Sequence, residues 1–119
     1  MARKGGEMVD VKLTKDADKM LCEIYAAYIK RRADGTPKRA AKDFANQERW
    51  PLEYLAEWNS EDGSESLAEL KRAGMIKLYL YDGFCLNDEA VIYMENRFKN
   101  GVSEVLDWLG KIKSAIPFA

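Results

Sequence analysis

The sequence predicts a mainly helical α+β domain that carries one small β-hairpin. Three observations lead there. Apolar residues recur at spacings of three and four through most of the chain, the period of a helix with one buried face. Those stretches open on capping residues and close on Gly or Pro. Strict alternation appears at Ile76 to Leu80, ahead of Asp82-Gly83, a dipeptide that favours tight hairpin turns.

The elements follow in order. Residues 1–13, with Gly5-Gly6 and no helical period, read as a flexible tail whose end, Met8–Leu13, is the one place in it for a short strand. Thr14 caps a first helix, with Asp16 and Asp18 in the turn where the helix dipole favours anions. Ala17, Leu21, Ile24, Tyr25 and Tyr28 share its apolar face, and Lys30-Arg31-Arg32 close it before Asp34-Gly35. Thr36-Pro37 starts a short second helix that turns Ala40, Ala41, Phe44 and Ala45 inward. Pro51 disfavours helical angles at Trp50, so Leu52, Leu55 and Trp58 line a separate short helix, followed by a polar loop at 59–63.

Ser64 is read as the cap of a third helix running to about Ala73, with Leu67, Leu70 and Ala73 inside and Gly74 as its stop. A two-residue turn at Asp82-Gly83 would pair Tyr81 with Phe84 and Tyr79 with Leu86. Asn87 caps the next helix, with Val91, Met94 and Phe98 on its apolar side. After Asn100-Gly101 a last helix carries Val105, Trp108, Leu109, Ile112 and Ile116 at helical spacing.

Composition narrows the function classes. A chain of 119 residues, 47% hydrophobic and 33% charged, is one globular domain large enough to bury a core. Its longest apolar run, Ile24 to Ile29, is far short of the ~20 residues that cross a bilayer. The N-terminus has no apolar stretch behind its basic residues and does not read as a signal peptide, so a cytoplasmic location is expected. Cys22 and Cys85 sit in apolar surroundings and are expected as free thiols of a reducing compartment.

There is no histidine, which removes the commonest general base and the commonest zinc ligand. With no Gly-rich phosphate loop and no metal-ligand spacing, the sequence predicts no enzyme, no metal and no cofactor. The net charge of −1 is unevenly spread: residues 1–42 hold 11 basic and 6 acidic side chains, and residues 43–96 hold 4 and 12.

From Leu67 the chain reads Leu-Ala-Glu-Leu-Lys-Arg-Ala-Gly-Met-Ile, then the hairpin, then Phe-Cys-Leu-Asn-Asp-Glu-Ala-Val-Ile-Tyr-Met-Glu to Glu95. This resembles the core of bacterial winged helix-turn-helix domains, where a Leu-rich third helix ends in Gly and two apolar residues, a hairpin wing follows, and the chain re-enters a helix. It is also similar to uncharacterised phage-associated winged-helix proteins of the YjcQ type. The resemblance divides the chain into the tail (1–13), a winged-helix body (14–101) and a C-terminal helix (102–119). Asn87 stands where Thr is usual, Ala90 where Gly is common, and residues 46–63 replace a tight turn.

The resemblance implies a DNA-binding regulator or mobile-element protein. Lys38, Arg39, Lys42, Lys71, Arg72 and Lys77 are then the candidate DNA contacts, with Arg49 and the tail's Arg3, Lys4 and Lys12 as possible additions to the stripe. Glu65 and Glu69, one turn apart on the third helix's outer face, oppose reading by that helix. The second helix, the tail and the wing are therefore expected to carry most of the contact. The alternative is a protein-interaction module of the same fold that does not bind DNA. It uses Val105, Trp108, Leu109, Ile112 and Ile116 as a homodimer seam, or its acidic middle to dock a basic protein.

Overall fold

The computed structural model describes residues 12–44, 58–80 and 83–115. Among the described residues there are seven elements: α1 (Lys15–Ala33), α2 (Lys38–Ala41), α3 (Ser60–Arg72), β1 (Ile76–Leu78), β2 (Phe84–Leu86), α4 (Asp88–Arg97) and α5 (Val102–Ala115). The architecture is mainly helical with a two-stranded antiparallel sheet. The expected helix around Leu52 and Leu55, like Ala45, Arg49 and Trp50, lies outside the described residues.

α1 is the centre of the molecule. The oxygen of Thr14 accepts from the Ala17 amide at its start, and Gly35 (φ 95°) turns the chain away beyond its end. α2, α3, α4 and α5 all touch it. Every residue from Lys19 to Tyr28 is therefore buried, in place of the one apolar face that the spacing predicts. Two of these residues are charged. Lys19 and Glu23 pair at 2.6 Å, and the Trp58 indole donates to Glu23 at 2.7 Å while its ring lies 4.9 Å from the Lys19 ammonium. A buried charge is tolerated when it is paired and hydrogen-bonded in this way.

α3 begins earlier than the sequence predicts. Asn59 is its N-cap, accepting from the Asp62 amide at 2.8 Å, so residues expected as a polar loop form its first turns. Gly63 lies inside the helix and is buried, with Trp58 and Met20 where a Cβ would point. The glycine read as a loop signal is a point of close approach to α1. The inward face is Gly63, Ser66 and Leu70, with Leu67 and Ala73 half-buried.

The hairpin register differs from the expected one. Ile76 pairs with Leu86, Lys77 with Cys85 and Leu78 with Phe84, and the Tyr79 N–H donates to the Gly83 carbonyl at 3.1 Å. The two-residue turn would have placed Phe84 and Leu86 on the face of Tyr79 and Tyr81. The observed register puts Ile76, Leu78, Phe84 and Leu86 on one face, three of them buried. Burial outweighs turn preference.

α2 is one turn long and has no side-chain cap; Ala41 is buried, whereas Ala40, expected inside, is exposed. Beyond it residues 42–44 lie against β2: the Leu86 amide donates to the Lys42 carbonyl at 2.9 Å and the Phe44 amide to the Phe84 carbonyl at 2.8 Å. The Phe44 and Phe84 rings stack at 4.9 Å. Asn87 marks the start of α4, but its side chain donates to the Gly74 carbonyl (3.0 Å) instead of capping, which ties α4 to the end of α3. Val91, Met94 and Phe98 are buried as expected. Arg97 binds Asp18 through both guanidinium nitrogens, at 2.6 and 3.0 Å, and joins the end of α4 to the start of α1.

Candidate nucleic-acid interface

The cationic residues singled out in the sequence fall into three groups. Lys71 and Arg72 close α3, Lys77 is the middle residue of β1, and all three are exposed. Lys38 and Arg39 are exposed on α2, immediately before the segment that borders β2. Cations therefore flank the hairpin on both edges. At four residues α2 is too short to build a helix dipole of useful size, so its cations act through their own charge.

Lys42 forms the third group and is engaged in an ion pair. Its ammonium binds Asp88 at the start of α4 at 2.5 Å, and its side chain is 17% exposed. Donating a hydrogen bond to Asp88 raises the Lys42 pKa, and the same bond holds the Asp88 carboxyl below its usual value, with nearby Lys38 adding to the effect. Lys42 ties α2 to α4 through this ion pair.

Glu69 is also reassigned. Its carboxylate accepts from both the amide and the hydroxyl of Thr14 at 2.8 Å, clasping the first turn of α1. One of the two acids expected to oppose DNA is thus engaged within the fold. Glu61, Asp62 and Glu65 remain exposed, so α3 is acidic in its first half and basic in its last turn.

Arg31 organises the edge beside β2. It donates to the Ala41 (3.3 Å) and Asp43 (2.9 Å) carbonyls, and its guanidinium lies 4.1 Å from the centre of the Phe44 ring. Burial lowers its pKa, and the Asp43 charge opposes that shift. The sequence reading placed Arg31 in a cationic last turn and missed this bridging role, because the signal is the long-range pairing of residues 42–44. On the sheet's outer face the Tyr79 hydroxyl donates to Asp43 at 3.2 Å. Desolvation first, then Cys85 and Asp43 beside it, pushes the Tyr79 phenol up to about 12.

The proposed dimer seam divides. Val105 and Leu109 are buried in the chain's own core, on the helix that packs against α1, so they need no second copy to cover them. Trp108 is 37% and Leu106 41% exposed, and Arg97 lies 5.1 Å from the Trp108 ring centre. The side chain of Ile112 and all of Ile116 lie outside the described set. Cys22 and Cys85 are free thiols, the first buried and the second half-buried.

Among the described residues no three His, Cys, Asp or Glu side chains gather as a metal site, and no helix is long and apolar enough to cross a membrane. Comparison with family models, curated proteins and solved structures gave no match.

Proposed function

We propose that this chain is a non-enzymatic winged-helix protein that binds DNA, with the hairpin as the wing. The observation that carries the reading is the placement of exposed cations on both sides of a hairpin anchored at its base: Lys71, Arg72 and Lys77 on one side, Lys38 and Arg39 on the other. Phosphate neutralisation by such residues supplies most sequence-independent affinity. The withdrawal of Glu69 into the Thr14 clasp lightens the acidic face that argued against it. The exposed acids at the start of α3 favour contact through the hairpin end of the molecule over reading by the body of that helix.

The test is fluorescence anisotropy on a mixed-sequence duplex across a salt series. With four or five phosphate contacts, log affinity should fall with log salt at a slope of about −4, since each contact contributes roughly −0.9. Charge reversal at Lys38 and Arg39, or at Lys71 and Lys77, should lower both affinity and slope. Absence of binding even at low salt would end the reading.

A second reading is favoured by the exposed Leu106 and Trp108 on α5: the same fold as a homodimeric interaction module. Light scattering decides it. A monomer whose behaviour does not change when Trp108 is replaced by a polar residue counts against it.

A further inference from the structure

We infer that the outer edge of β1 is a docking edge for an extended acidic peptide of a partner protein. The peptide adds to the sheet as a further strand, with the backbone of Leu78 as its anchor and Lys77 facing its acid. The inference stands independently of the DNA reading above.

The ladder fixes which backbone groups face outward. In an antiparallel pair, residues that exchange hydrogen bonds with the partner alternate with residues whose groups point away from it. The Asn87 amide donates to the Met75 carbonyl and the Tyr79 amide to the Gly83 carbonyl. Met75, Lys77 and Tyr79 therefore face β2, and Ile76 and Leu78 turn their amides and carbonyls away from it. The same alternation turns Phe84 and Leu86 of β2 towards residues 42–44, where both are bonded. The two edges of the sheet then differ. At the far edge the outward residue is Asp43; its amide donates to the Ala40 carbonyl at 3.1 Å, and its carbonyl accepts from Arg31 at 2.9 Å. At the β1 edge Ile76 is buried, but Leu78 is 37% exposed, and among the described residues nothing bonds to its amide or carbonyl. An unpaired donor and acceptor on an exposed edge are a template for one more strand.

Charge selects the occupant. The one charge of β1 is Lys77, exposed on the outer face, and Lys71 and Arg72 are exposed at the end of α3 before it. The acids that flank this stretch in sequence are Glu69, held by Thr14, and Asp82, which lies outside the described residues; Asp43, across the sheet, accepts from Tyr79. An added antiparallel strand bonds to Leu78 with one residue and sets the next one directly opposite Lys77, in the non-hydrogen-bonded position where side chains come closest. An acid there pairs with Lys77, and an apolar residue beside it covers Leu78. A second copy of β1, in the register that overlaps the whole strand, sets Lys77 against Lys77, a like-charge pair. A duplex uses the cations and leaves the Leu78 backbone unpaired.

The probe is the capped peptide Thr-Ile-Glu-Val-Thr, with Ile set against Leu78 and Glu against Lys77, titrated into the full chain and followed by NMR amide exchange. In the free chain the Leu78 amide should exchange about tenfold or more faster than the paired Tyr79 amide, and peptide should slow it by a similar factor. N-methylation of the peptide's Ile, which leaves its charge and side chains unchanged, should abolish binding. Exchanging its Glu for Lys should weaken binding by roughly fivefold, and Lys77→Glu should reverse that preference. Leu78→Pro should abolish binding and keep the hairpin, because the Leu78 amide takes no part in the β1–β2 ladder. No peptide binding, a methylated peptide that binds as well as the parent, or binding that leaves the Leu78 amide unprotected would overturn strand addition. So would a Leu78 amide already protected in the free chain, at every dilution if the chain covers its own edge, or only at high concentration if a second copy does. Protection by duplex DNA and not by peptide would overturn it and assign the edge to nucleic acid. Failure to bind duplex DNA would overturn the DNA reading alone.

Discussion

Arg97→Ala removes the contact that joins the end of α4 to the start of α1. The guanidinium makes two bonds to Asp18, at 2.6 and 3.0 Å, and lies 4.8 and 5.1 Å from the Phe98 and Trp108 ring centres. Hydrogen bonds to charged groups contribute about 1.5–3 kcal/mol, and a cation–aromatic contact about 0.5–1 kcal/mol. The pair is largely buried, with Arg97 24% and Asp18 19% exposed, so water partly rehydrates the orphaned carboxylate. The loss should therefore fall below the roughly 3–5 kcal/mol of a fully buried broken pair. We expect about 2–3 kcal/mol, or a melting shift of roughly 6–15 °C for a chain of this size. Urea unfolding of the parent, Arg97→Ala, Asp18→Ala and the double variant gives the coupling energy directly. Arg97→Lys should recover less than half the loss, since an ammonium cannot bind both carboxylate oxygens with the same fork. A coupling energy below about 0.5 kcal/mol would place the pair with ordinary surface ion pairs and refute the argument.

Gly63→Ala should stabilise the protein by about 0.5–1 kcal/mol in the same assay, because the new Cβ meets Trp58 and Met20 at ordinary contact distances of 3.7 and 3.9 Å while the helix interior loses a glycine. Phe84→Ala, which empties a 1% exposed position stacked on Phe44, should cost about 3–5 kcal/mol and broaden the amide signals of the hairpin. Lys42→Ala should cost less than about 1 kcal/mol and leave the salt slope of DNA binding unchanged, unlike Lys77→Glu. Cys22 has its pKa pushed from 9.0 to about 12, by burial first and then by Asp18. The folded chain keeps this proton at a pH where the unfolded chain releases it, so stability is full below about 9 and falls as pH rises towards 12. Cys22→Ala should flatten that alkaline slope in part, with Tyr25 and Tyr79, both also pushed to about 12, contributing to the remainder.

Local signals led to the right elements wherever a cap and a helical period agreed. Thr14 starts α1, Gly74 stops α3 and the apolar side of α4 is buried as its spacing predicts. The readings that failed were those settled by contacts distant in sequence. Gly63 reads locally as a loop residue, and only its neighbours Met20 and Trp58 show why a helix passes there. Asp82-Gly83 reads as a two-residue turn, yet the observed register sets Phe84 and Leu86 on the same face as Ile76, and all three are buried. For the candidate site, spacing found the exposed cations at 38, 39, 71, 72 and 77. It could not tell Lys42 from them, nor Glu69 from Glu65, because Asp88 and Thr14 lie 46 and 55 positions away from the side chains they hold.

The central position of α1 sets a constraint on biosynthesis. The helix leaves the ribosome before α5, which supplies Val105 and Leu109 to the shared core. Until α5 emerges, a helix whose residues 19–28 are all buried in the fold, the Lys19–Glu23 pair among them, stays partly uncovered. The nascent chain should therefore acquire protease resistance only after α5 has emerged. A stop at position 101 would release a product that retains the entire basic hairpin and still fails to fold.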